Sequence, residues 1–175
     1  MIPLPLTRRE ATRDDEPFLR TLYASTREDE FANVEWPASV LEAFLRLQYD
    51  AQAADYRRRH PHAVQELLLV DGEPAGRLWL HRGEADWHLL DVALLPAFRG
   101  LGFGAHALSE LLDEASRARA SVSLHVAAGN PARRLYERLG FVATGGDAIH
   151  QSMTWPAAAA RASRAPVPLP LETLS

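Results

Sequence analysis

The stretch Leu89–Leu108 limits what this chain can fold into more than any other. It opens with the apolar run Leu89–Leu95, interrupted only by Asp91, which reads as a buried strand. Gly100, Gly102 and Gly104 follow at alternate positions. After them, Ala105, Leu108, Leu111, Leu112 and Ala115 recur at helical spacing and form an apolar stripe. The unit is therefore strand, glycine turn, helix. The first N–H groups of such a helix have no partner within it, and the helix dipole adds partial positive charge there. Glycines let an anion approach that backbone closely, so the turn suits a phosphate or pyrophosphate. A turn that needs glycine only for tight packing is the plainer reading of the same residues.

Two well-known phosphate turns are poor matches. A P-loop places Lys and then Ser or Thr after its last glycine. All the basic side chains here are Arg, and the chain has no Lys. A dinucleotide-binding turn is matched by Gly102-x-Gly104-x-x-Ala107. That fold also requires an acidic residue about 20 positions on, at the end of the next strand. The next strand, Val122–Val126, ends without one.

The remaining segments set the frame. Leu4–Ala11 reads as a first strand, and Thr12 caps a helix with Asp14, Asp15 and Glu16 in its first turn. Phe18, Leu19, Leu22 and Tyr23 carry that helix to Thr26. Arg27–Pro37 reads as a loop or weak helix. Its acids, Glu28, Asp29, Glu30 and Glu35, make it either a solvated linker or a substrate-side loop that attracts an amine. A long helix follows from Ala38 to Arg59 and stops at His60-Pro61. Val64–Val70, Ala75–His81 and Trp87–Leu95 make a three-strand meander whose first turn is Asp71-Gly72. The helix after the glycine turn runs to Arg119 and leads to strand Val122–Val126. Asn130 caps a further helix, Pro131 opens it and Gly140 stops it. Phe141–Ala143 and Ala148–Trp155 pair as a last hairpin.

Two motifs on this frame resemble the GNAT superfamily of N-acetyltransferases. Arg99-x-x-Gly102-x-Gly104 is similar to that family's acyl-CoA signature, Arg/Gln-x-x-Gly-x-Gly/Ala. Asn130-Pro131-Ala132-x-x-Leu135-Tyr136-x-x-x-Gly140-Phe141 resembles its second signature, although many members have one more residue between the Asn and the Tyr. The resemblance covers Val64 to Trp155. It implies a mixed α/β fold of α+β type. The central sheet would have about seven mostly antiparallel strands flanked by about four helices, with a splayed parallel pair at the acyl-CoA cleft. The domain would span 1–156, followed by a flexible Ala/Pro-rich tail over 157–175.

The resemblance also implies a chemistry. The pantetheine arm of acetyl-CoA would meet backbone groups of Ala93, Leu94 and Leu95. Its pyrophosphate would sit on the N–H groups of Arg99, Gly100, Leu101, Gly102, Phe103, Gly104 and Ala105. Asn130 would lie near the arm, with Arg133 within reach of its phosphates. Tyr136 is the family-like general acid for the leaving thiolate. His125 is the candidate base, placed by strand alternation on the face opposite Val122, Leu124 and Val126. Asp91 is the other candidate; amid apolar residues it needs a partner, and it is read as structural or as orienting the substrate. A water chain could replace either.

The expected activity is acetyl-CoA-dependent N-acetylation of a primary amine on a small molecule, by direct attack in a ternary complex. Action on a protein N-terminus or Lys, and a catalytically silent acyl-CoA sensor, are the alternatives. With no Cys, a thiol nucleophile and Cys-ligated metal are excluded, and no metal is expected. A net charge of −4 offers no basic footprint for nucleic acid and counts against a toxin acting on charged tRNA. No apolar run is long enough to span a membrane. Met-Ile-Pro-Leu-Pro-Leu lacks the charged start of a signal peptide, so a cytoplasmic protein is expected. The sequence leaves a homodimer open.

Overall fold

A computed structural model describes residues 5–158. Of the proposed tail, residues from 159 onward lie outside the described residues. The elements run β1 (Leu6–Glu10), α1 (Glu16–Ser25), α2 (Glu28–Phe31), α3 (Ala38–Arg59), β2 (Val64–Val70), β3 (Glu73–Arg82) and β4 (Asp86–Leu94). They continue with α4 (Phe103–Arg117), β5 (Ser121–Ala127), α5 (Ala132–Arg138), β6 (Val142–Gly146) and β7 (His150–Trp155). The seven strands form one sheet in the order β1-β2-β3-β4-β5-β7-β6, with β4 and β5 the parallel pair. The expected fold is therefore present. The additions are α2, a single helical turn inside the stretch read as loop or weak helix, and two 3-10 turns at Arg13–Asp15 and Pro96–Phe98.

Local chemistry explains the boundaries. Asp15 Oδ2 accepts from the Thr12 backbone N–H at 2.7 Å, completing a capping box before α1. The β2–β3 turn has Asp71 and Gly72 at φ 51° and 81°, the double positive φ of the tight hairpin that Asp-Gly favours. α3 buries only Tyr49 and Ala53, so one side of this 22-residue helix rests on the sheet and the rest meets solvent.

The sheet separates two apolar layers. On one face Leu78, Leu80, Trp87 and Leu89 pack with Ala107, Leu108 and Leu111 of α4 and with Phe141. On the other, Leu67 and Trp79 pack with Leu19 and Tyr23 of α1 and Tyr49 and Ala53 of α3. Strand alternation divides the side chains between these layers. The site sits in the middle of the sheet, where β4 meets β5.

Candidate active site

β4 and β5 pair for only part of their length. The parallel register runs from Asp86↔Ser121 to Leu89↔Leu124 and stops there. Both strands continue, β4 to Leu94 and β5 to Ala127, but β5 pairs only with β7 beyond that point. An irregularity in the β3–β4 ladder coincides with the parting: Trp79 faces Asp91 while Leu80 faces Leu89, leaving Leu90 as the extra residue. A bulge of this kind bends and twists its strand. β4 therefore turns away from β5 and leaves a gap across which the two strands no longer pair.

That gap opens a cleft of about 490 Å³. The glycine turn closes one end. Gly100 and Gly102 take φ 70° and 89°, which favour glycine. The first intrahelical bond of α4 runs from the His106 N–H to the Gly102 carbonyl at 2.9 Å. The N–H groups of Phe103, Gly104 and Ala105 thus have no partner four residues back, as the anion site requires. Arg99 folds back along the gap: its Nε donates to the Leu94 carbonyl at 2.8 Å.

Several of the proposed residues meet on the cleft wall: Ala93, Leu94, Arg99, Gly104, His125, Asn130 and Tyr136. Leu95 and the turn residues Gly100, Leu101, Gly102, Phe103 and Ala105 continue from its rim, with Gly100, Leu101 and Gly102 exposed and the Phe103 side chain in the core. Arg133 is not on the wall; its Nε pairs with Glu137 at 2.8 Å, one turn along α5. The Asn130 side chain caps α5 by accepting from the Ala132 N–H at 2.9 Å.

Tyr136 is buried, with its ring set against Phe141 at 5.7 Å. Burial, and next the negative charge of Asp91, push its hydroxyl up to about 12. It therefore keeps its proton throughout the neutral range. His125 is exposed and lies on a wall shared by the cleft and a second hollow of about 990 Å³. The second hollow is bounded by the end of α3, by β3 through β5 and by the β6–β7 hairpin.

Asp91 has the partner it needs. Arg77 Nη2 lies 2.7 Å from its carboxylate and Nε donates at 2.9 Å. Arg77 is 2% exposed, holds Gln52 Oε1 at 3.2 Å, and stands over the rings of Tyr49 and Trp79. Sequence reasoning missed Arg77: its pairing with Asp91 depends on the β3–β4 register, which shifts at Leu90. It also missed His88, which contacts His125 at 5.2 Å between ring centroids.

A model of the acetyltransferase (GNAT) family matches residues 20–141. No curated protein sequence matches the chain. Among solved structures, the PaiA N-acetyltransferase of Thermoplasma acidophilum in complex with coenzyme A superposes with a TM-score of 0.67 at 16% identity, over 87% of this chain and 99% of that one. An acetyltransferase of Thermus thermophilus gives 0.65 at 22% identity, over 89% and 99%. The spermidine N-acetyltransferase of Vibrio cholerae, in complex with CoA and spermine, gives 0.59 at 20%, over 85% and 94%. At these identities the likeness concerns the fold. Among the described residues no cluster of metal-ligating side chains occurs, and no helix is long and apolar enough to cross a membrane.

Proposed function

Because the chain belongs to the GNAT acetyltransferase family, we propose that it moves the acetyl group of acetyl-CoA directly to the neutral nitrogen of a primary amine on a small molecule. The observation that carries this reading is the parting of β4 from β5 above a helix start with free N–H groups, with Tyr136 and His125 on the walls of the gap. Unpaired backbone suits the amide groups of a pantetheine arm, and the helix start suits its pyrophosphate. Acetyl-CoA supplies an activated acyl carbon; the chain's own groups supply the rest.

Arg99, Gly100, Leu101, Gly102, Phe103, Gly104 and Ala105 hold the anion, with the backbone of Ala93, Leu94 and Leu95 along the arm. The Leu94 region offers the N–H donor for the thioester oxygen, which becomes negative as the amine attacks. His125 takes the proton from the attacking nitrogen. Tyr136 gives its proton to the leaving sulfur. The second hollow meets the cleft at Leu89, Leu90, Asp91, His125 and Ala127, so an acceptor can reach His125 without crossing the CoA side.

The test is calorimetric titration with acetyl-CoA, desulfo-CoA and NAD, followed by thiol release over a panel of alkyl amines, aromatic amines, diamines and amino acids. Micromolar binding of acetyl-CoA without NAD binding, and turnover with a member of the panel, is the expected result. Absence of acetyl-CoA binding overturns the reading. Binding without turnover on the panel, but with turnover on an N-terminal or Lys peptide, moves the acceptor to proteins.

A further inference from the structure

A line of imidazoles crosses one face of the sheet, and the proposed reaction uses only the first of them. His125 on β5 meets His88 on β4 at 5.2 Å between centroids, edge to face at 67°. His88 stacks on His60 at the end of α3, at 5.4 Å and 24°. His60 in turn lies 6.1 Å from His81 on β3. His88 differs from the others in being anchored. Its Nδ1 lies 2.9 Å from Ser123 Oγ. The hydroxyl of Ser123 faces two groups that can only accept, Asp86 Oδ2 at 3.1 Å and the Trp87 carbonyl at 3.4 Å.

This arrangement favours one tautomer. A hydroxyl has one proton, and Ser123 spends it on one of those acceptors. Its oxygen is then an acceptor toward His88, so Nδ1 of His88 carries the hydrogen and Nε2 carries the lone pair. The carboxylate of Asp86 also accepts from Ser121 Oγ at 2.7 Å, so it stands fixed behind the imidazole. The ring of His125 makes no hydrogen bond among the described residues. One ring is thus free to meet a substrate, and its neighbour is oriented with a carboxylate in reserve.

We propose that His88 is a positioning residue behind His125, receiving at Nε2 the proton that His125 removes from the attacking nitrogen, with Ser123 and Asp86 stabilising the imidazolium that results. The inference rests on His125 being the base of the proposed reaction. The balance is complete. The amine forms its N–C bond to the acyl carbon as the C–S bond breaks. The nitrogen's proton passes to His125 and on to His88 Nε2. The sulfur takes the Tyr136 proton, and the proton held by His88 leaves through the second hollow while the Tyr136 phenolate regains one.

Like charges surround the receiving ring: His125, His60 and His81 oppose its protonation, and Asp86 favours it. Burial, the largest cause, also lowers it, so His88 is neutral at neutral pH. Tyr56, Arg59, Asp91, Asp147 and His150 line the same hollow as His125 and His88, and Tyr136, Arg77 and Arg27 line the cleft.

Histidine side-chain NMR on labelled full-length protein, with rate–pH profiles using the best amine of the panel, tests this. In wild type His88 is expected as the Nδ1–H tautomer, and Ser123→Ala is expected to abolish that preference. His88→Gln and Ser123→Ala are expected to lower kcat about tenfold and to displace the acid limb, with KM for acetyl-CoA unchanged. The double variant His88→Gln/His125→Gln is expected to be no slower than His125→Gln, since the two act as a unit. A mixed or Nε2–H tautomer at His88 overturns the proposal, whether or not an acceptor has been found. So does an altered profile in His125→Gln beside a normal one in His88→Gln and Ser123→Ala. A normal profile in His125→Gln instead removes the base itself, and His88 with it. Asp86→Asn serves if His88→Gln fails to fold.

Discussion

Arg77 Nη2 lies 2.7 Å from Asp91 Oδ2, and the two side chains are unequally buried, at 2% and 28% exposed. The pair therefore breaks unequally. Without Asp91, a guanidinium is left between Tyr49 and Trp79 with Gln52 as its remaining polar partner. Without Arg77, the carboxylate still reaches the cleft. Asp91→Ala is expected to cost about 3 kcal/mol, the order seen when a buried pair loses one member. Arg77→Met is expected to cost about 1–2 kcal/mol, since the orphaned carboxylate keeps contact with solvent. Urea unfolding of both variants measures this. Equal costs would show that the depth of Arg77 does not govern the pair.

Tyr136→Phe keeps the ring against Phe141 and removes one hydroxyl. If that hydroxyl protonates the thiolate, kcat falls about a hundredfold while the dissociation constant for acetyl-CoA stays unchanged. Steady-state kinetics beside calorimetry separates the two quantities. A kcat at the wild-type level would take Tyr136 out of the mechanism.

Gly102 and Gly76 are both glycine, for different reasons. At Gly102, φ is 89° and a Cβ would meet nothing within 4 Å, so Gly102→Ala costs only backbone strain, about 1–2 kcal/mol. It also puts a methyl group into the open space beside the turn, where the proposed anion would approach, and acetyl-CoA binding is expected to weaken. At Gly76 a Cβ would collide with the Ala93 carbonyl of β4. Gly76→Ala must displace the strand that walls the cleft, so it is expected to lower the melting temperature further than Gly102→Ala does. The reverse order in thermal melts would mean that β4 yields easily.

Acid stability follows from the imidazole line. Burial first, then neighbouring cations, holds His60 and His88 below the ordinary imidazole value. The unfolded chain binds those protons at about pH 6.5, and the folded chain only at lower pH. In that window the unfolded state holds more protons, so stability falls as pH drops through the ordinary value and levels off below the folded ones. Melting temperatures across this range are expected to fall less in His60→Gln/His88→Gln than in wild type. Parallel curves would show that the two rings titrate normally.

The sequence made the strand–turn–helix unit readable because three signals coincide there: an apolar run, alternate glycines and a helical stripe. Asp71-Gly72 fixed the β2–β3 hairpin for a similar reason, since few dipeptides accept two positive φ values. Alternation placed His125 on the open face, where it is found. The partnership of Arg77 with Asp91 was not legible. It depends on the β3–β4 register, and that register shifts at the extra Leu90. The His60–His88–His125 line was hidden for the same reason, because it joins a helix end to two strands far apart in sequence.

The parting of β4 and β5 also leaves two internal margins whose rungs are missing. The arm proposed to lie between them would supply hydrogen bonds that neither strand gives the other, so the occupant would serve as a length of sheet as well as a reactant. Ligand a hundredfold above its dissociation constant adds about 2.7 kcal/mol to the folded state. Amide hydrogens around Leu90–Leu94 would then exchange more slowly as acetyl-CoA rises, and resistance to heat and proteolysis would follow the same supply. If acetyl-CoA fills the gap as proposed, the donor of the acetyl group is also part of the scaffold.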